Sequence, residues 1–218
     1  MTLRVIVASV LLLGLTSCSV FGENGVENAP YKILQSDDES KIEVRQYESM
    51  VLVSASMEGD SRNSAFRKLF KYISGNNEGE QEIAMTAPVF MGQDSNGSPS
   101  SNKGTAGTEI AMTAPVFMGE KDGQRMMSFV MPKSFTLATT PVPLDSTLQL
   151  SEVSDYKVVA IQFSGTLSKG NVETHTERLM QWISLNNFEA IGVPVTAGYN
   201  GPMTLPWLRR NEVLIEVQ

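Results

Sequence analysis

Residues 42–59, IEVRQYESMVLVSASMEG, lie without a gap over residues 148–165, LQLSEVSDYKVVAIQFSG. Each stretch reads as an alternating strand, a short polar turn, a second alternating strand and a closing glycine. A helical stretch follows each, ending in Ile-Ser at Ile73-Ser74 and Ile183-Ser184, and then an Asn-Asn turn at Asn76-Asn77 and Asn186-Asn187. An apolar strand containing proline comes next in both. The chain is therefore expected to form two β-β-α-β halves, with further strands at 125–131 and 211–217. Two helices on a largely antiparallel sheet define an α+β domain, with the sheet curled into an open barrel.

The periodicities inside each half support this. Ala65, Phe66, Leu69, Phe70 and Ile73 fall at helical spacing, while Arg67, Lys68 and Lys71 gather on the other face. Asp60 or Ser61 is the expected cap. In the second half Val172, Thr176, Leu179 and Ile183 form the stripe, with Asn171 as cap and Glu173 near the positive helix end. MVLVSASM at 50–57 and YKVVAIQF at 156–163 are rich in β-branched residues, as strands require.

A second repeat is literal. EIAMTAPVFMG at 82–92 returns unchanged at 109–119, displaced by 27 residues. The linker QDSNGSPSSNKGTAGT has too little apolar surface to offset its ordering entropy, so a mobile duplicated insertion around 93–119 is expected. Two copies at one place are too few for a solenoid. They read as a local duplication in which one copy occupies the strand, and the sequence does not choose between them.

The N-terminus MTLRVIVASVLLLGLTSC places Arg4 before an apolar run and small residues, the pattern of an export signal. It is short for a spanning helix. Leu15-Thr16-Ser17-Cys18 resembles a bacterial lipobox, which implies a signal peptide at 1–17, diacylation of the Cys18 thiol and an acylated new N-terminus. Several buried acyl chains, at about 0.8 kcal/mol per methylene, anchor stably where one chain would not. Residues 18–30 then form the acylated tether, and a single domain occupies 31–218. Ser19 after the cysteine favours, by resemblance to enterobacterial sorting, the outer membrane facing the periplasm.

Composition limits the function further. With 218 residues, 41% hydrophobic and 19% charged, the chain resembles neither a disordered nor a polytopic membrane protein. Its net charge of −7 is the wrong sign for a protein that neutralises phosphates, so nucleic acid is excluded as a partner. One cysteine and one histidine make neither an internal disulfide nor a Cys/His zinc site. No nucleophile elbow, P-loop or dinucleotide fingerprint occurs, and no enzymatic activity is expected.

The candidate binding residues are consequently few. Arg67, Lys68 and Lys71 concentrate positive charge beside an apolar stripe, which suits an amphipathic anion. His175, one heptad before Trp182, reads as a partly exposed helix-face residue or as an axial ligand to a haem iron. The twelve methionines are read mainly as core filling. Glu212, in the last strand, is the acid that would meet a cationic ligand if it faced inward.

Six stretches in order resemble the SOUL haem-binding family: IEVRQYE, AFRKLFKYISGNN, IAMTAPV, SFVMP, AGYNGP and RRNEVLIEV. The resemblance spans 31–217 and implies a distorted antiparallel β-barrel of two similar halves. It also implies non-enzymatic binding of haem b or another porphyrin in an apolar groove against the first helix, with Lys71 in the basic position near the propionates. Some family members carry histidine before the tyrosine of IEVRxY; Gln46 stands there in this chain, which leaves His175, Tyr47 or no side chain as the iron ligand. Two alternatives stay open: another amphipathic small molecule, including a cationic one, because the fold also resembles effector-binding domains, or a structural envelope lipoprotein.

Overall fold

The computed structural model describes residues 27–57, 62–78, 113–114, 116–121, 124–201 and 203–218. The expected signal, Cys18, the proposed caps Asp60 and Ser61, and the first copy of the literal repeat lie outside these residues. Short strands β1 (Glu27–Asn28) and β5 (Thr113–Ala114) pair in parallel. Ala29, just after β1, is buried, so ordered structure starts before Tyr31.

A nine-stranded sheet forms the body. In chain order its strands are β2 (Tyr31–Asp37), β3 (Ile42–Tyr47), β4 (Met50–Ser56), β6 (Val116–Lys121) and β7 (Gln124–Val130). The remainder are β8 (Leu148–Val153), β9 (Tyr156–Phe163), β10 (Val195–Gly198) and β11 (Asn211–Glu216). Their spatial order is β2-β3-β9-β11-β10-β6-β7-β4-β8, with every neighbouring pair antiparallel. The sheet curls into a half-barrel rather than closing, since β2 and β8 remain edges.

The two halves are present, but they exchange strands. In the first half β4 pairs with β7 and β7 with β6; in the second, β9 pairs with β11 and β11 with β10. The leading strand of each half crosses to the other, β3 onto β9 and β8 onto β4. The two-residue links Glu48-Ser49 and Ser154-Asp155 therefore join strands that lie far apart in the sheet order, not the arms of hairpins. The β6–β10 pair lies between the two sets. Strand β6 comes from the second copy of the literal repeat, which places Val116, Phe117 and Met118 in the core.

The two α-helices among the described residues pack on one face. Helix α1 (Arg62–Ile73) buries Ala65, Leu69, Tyr72 and Ile73 against β4 and β7. Helix α2 (Lys169–Leu185) buries Leu179 and Ile183 against β9 and β11. Val51, Val53, Phe129, Ile161 and Val213 complete this core. A fully buried leucine such as Leu69 contributes about 1.5–3 kcal/mol of transfer free energy. Strand alternation sends Tyr47, Met50, Phe117, Val158, Tyr199 and Leu214 to the concave face, where they form a second cluster.

The helix ends refine the sequence reading. Gly75, at φ 100°, closes α1 by a Schellman motif: Gly75 N–H donates to the Tyr72 carbonyl and Asn76 N–H to that of Lys71. In α2 the same role falls to Asn187, at φ 59°, so the paired Asn-Asn turns are not equivalent. Ser168, not Asn171, caps α2, accepting from Asn171 N–H. The Asn171 amide instead donates to the carbonyls of Ser164 and Thr166, tying the helix start to the end of β9.

Candidate functional site

The basic face of α1 is real, and its surroundings are partly apolar. Arg67 and Lys71 are exposed and Lys68 is half-buried. The segment after β7 docks on the end of this helix. Tyr72 Oη donates to the Pro141 carbonyl at 2.8 Å, Glu78 N–H to Val142 at 2.8 Å and Leu144 N–H to Asn76 at 3.4 Å. Val142 and Leu144 nevertheless stay 52% and 60% exposed. Lysines at the edge of exposed aliphatic side chains complement a flat apolar ring carrying carboxylates.

Asp145 modulates this patch and was not singled out by sequence reading. Thr147 donates to its carboxylate through Oγ1 at 2.6 Å and N–H at 2.9 Å. Those hydrogen bonds, and then the charges of Lys68 and Lys71, hold its carboxyl below the usual carboxylate range. An anionic ligand there competes with Asp145 for the lysines. The Asp-Ser-Thr turn motif was the available signal.

His175 sits over the other half, on α2. Its ring stacks on Phe163, centroids 4.2 Å apart and planes at 16°, and Nδ1 lies 2.7 Å from the Asn171 carbonyl. That contact requires the proton on Nδ1, which leaves Nε2 as the basic nitrogen, the arrangement also found in metal-bound histidines. The structure does not place His175 with the α1 lysines, because α1 rests on β4 and β7 and α2 on β9 and β11. Trp182 donates Nε1–H to Asp37 Oδ2 at 2.9 Å. Tyr47 is 2% exposed, and burial pushes its phenol up to about 12, so it is a protonated core residue unsuited to iron. Among the described residues no group of three or more His, Cys, Asp or Glu side chains is placed to hold a metal ion.

Glu212 does face inward, but its cations come from the same chain. Its carboxylate is fully buried. Arg45 donates to it from Nη1 and Nη2 at 2.7 and 3.0 Å, and Arg210 from Nη2 and Nε at 2.7 and 3.0 Å. Tyr199 Oη adds a bond of 2.6 Å. Burial pushes the Glu212 carboxyl up, and the Arg45 bonds and charge, Arg210 and Tyr199 more than reverse this, holding it below the usual range. Arg45 also pairs with Glu43 at 2.6 Å and lies over the Tyr31 ring. A carboxylate so saturated has no capacity for a cationic ligand, which corrects the role expected of Glu212.

A cavity of about 460 Å³ opens on the concave face, away from both helices. Met50, Leu52, Phe117, Met126 and Val195 supply its apolar walls, and Glu152 and Glu216 its charges. Arg67, Lys68, Lys71 and His175 do not line it. Sequence reading missed it because one alternate set of side chains from several strands makes it, visible only after the strand order is known.

A curled antiparallel half-barrel of two exchanged halves, each carrying a helix, is a fold shared with other solved structures. The C-terminal domain of EcmrR superposes with a TM-score of 0.50 at 11% identity, covering 86% of this chain and 98% of that domain. A structure described as a hydrolase from Listeria innocua gives 0.52 at 12% identity, covering 82% and 92%. At these identities the likeness is one of fold alone. The SOUL heme-binding protein family matches residues 26–103 and 97–216, and the chain belongs to that family. Each matched stretch contains one copy of the literal repeat, so the duplication divides the match. Heme-binding protein 1 of Xenopus laevis is 25% identical over 208 residues, covering 93% of this chain and 97% of that protein.

Proposed function

We propose that the chain binds haem b or a related tetrapyrrole without catalysing a reaction on it, as a lipoprotein tethered to the cell envelope through acylated Cys18. The observation that carries the reading is the α1 edge, where Lys68 and Lys71, with Arg67 on the same helix face, lie close to Asp145 and the exposed Val142 and Leu144 in a member of a haem-binding family. Packing of the ring on the aliphatic side chains and pairing of its carboxylates with the lysines suffice for binding. Bound haem supplies an iron centre and a strongly absorbing ring. Iron ligation is secondary, because His175 belongs to the other helix. Outer-membrane attachment facing the periplasm follows from Ser19 after Cys18.

Two experiments test the parts separately. Lys71→Glu places a repelling charge at the carboxylate position and is expected to weaken protoporphyrin binding about tenfold, the effect of roughly 1.4 kcal/mol; unchanged affinity removes Lys71 from the site. Palmitate labelling of cells expressing the full chain is expected to mark the protein and to disappear in Cys18→Ser. Labelling that persists in the variant contradicts the anchor.

A further inference from the structure

We propose that the concave cavity is a second ligand site, selective for a small aromatic monocation and independent of the α1 edge. Its volume of about 460 Å³ is that of a drug-sized ligand pocket. Among the described residues that line it there is no lysine, arginine or histidine, whereas Glu152 and Glu216 both do. A dianionic porphyrin is repelled where a cation is attracted.

The two acids of β11 make the contrast. Glu212, Leu214 and Glu216 share one face of the strand by its two-residue period. Glu212 is neutralised by Arg45 and Arg210, while Glu216 has no salt-bridge partner among the described residues. Glu216 is half-buried beside Gly192, where an added Cβ would meet its Cβ at 2.9 Å, so glycine there leaves the acid its place at the cavity. Its negative charge, after burial, raises the Tyr156 phenol, so Tyr156 is a protonated lining group. Phe117 and Tyr156 are aromatic and Met50 and Met126 carry polarizable sulfur among the lining residues, the side-chain types that suit an aromatic cation. Ser54 and Ser128 hydrogen-bond to each other at 2.7 Å in the wall, and one hydroxyl hydrogen of the pair is left for a ligand acceptor.

The test is a fluorescence-anisotropy titration of the chain from residue 19, which contains every described element, with rhodamine 6G as the cationic probe and anilinonaphthalene sulfonate as an anionic control. One equivalent of rhodamine is expected to bind saturably, more tightly than the sulfonate, and to remain bound when haemin is added. Glu216→Gln is expected to weaken rhodamine about fivefold, and Lys71→Glu to leave it unchanged. If Glu216→Gln does not fold, Glu152→Gln carries the same expectation from an exposed position. Absence of saturable rhodamine binding, one-for-one displacement by haemin, or indifference to the carboxylate variant overturns the proposal. Haemin affinity is measured in the same series, so failure of this site and failure of the α1 site are read separately.

Discussion

Replacing Glu212 by glutamine keeps the side-chain shape and removes one charge from a fully buried polar group. Its carboxylate accepts from two guanidinium groups and a phenol, all within 3.0 Å. Glutamine retains one acceptor oxygen and turns an NH2 group toward donors. Arg45, 2% exposed, is left with Glu43 alone as counter-ion. Breaking one member of a buried pair costs about 3–5 kcal/mol, a large part of the ~5–15 kcal/mol that holds a domain folded. With a urea slope of about 2 kcal/mol/M, the unfolding midpoint falls by about 2 M. The pH dependence has a definite sign. The folded Glu212 carboxyl lies below its ordinary value of 4.5, so its contribution is complete above that pH and is lost as pH falls through the folded value. The gap between wild type and Glu212→Gln should therefore narrow in acid. A midpoint shift under about 0.3 M at pH 7, or a gap that widens in acid, refutes the reasoning.

Three further outcomes are expected. Phe117, 6% exposed, stacks edge-on to Tyr47, so Phe117→Ala should cost about 3 kcal/mol in urea unfolding; the same change at Phe90, its counterpart in the first copy, should cost far less, and equal losses would show that both copies are packed. Deleting residues 82–108 gives the same polypeptide as deleting 93–119, because the copies are identical. That product should fold and gain up to about 1 kcal/mol from a shorter connection, measured by thermal unfolding; failure to fold would show that the fold needs both copies. His175→Ala should leave protoporphyrin binding unchanged, and any loss confined to the haemin spectrum would identify its Nε2 as an iron ligand.

Much of the architecture is legible in local pattern. The helical stripe through Ala65, Leu69 and Ile73 survives because that face meets a core directly, and the β-branched runs of β4 and β9 survive as strands buried on both faces, between two apolar clusters. The exchange of β3 and β8 between halves is not legible, since a two-residue link such as Glu48-Ser49 reads as a hairpin until the partner strand is seen. Arg45 illustrates the same limit at a single residue: alternation puts it opposite Ile42 and Val44, on what looks like a solvent face. The curled sheet makes that face an interior, and only Glu212, distant in sequence, makes an arginine tolerable there. The lysines of α1 were visible as a charged face, but Asp145 and the exposed Val142 and Leu144 enter from a segment with no periodicity.

The central claim is tested most directly by titrating the chain from residue 19 with haemin and with metal-free protoporphyrin, following Soret absorbance and quenching of Trp182 and Trp207. Saturable one-to-one binding of both, weakened by Lys71→Glu, is the predicted result. Absence of saturable binding of either porphyrin would contradict a tetrapyrrole site on this fold.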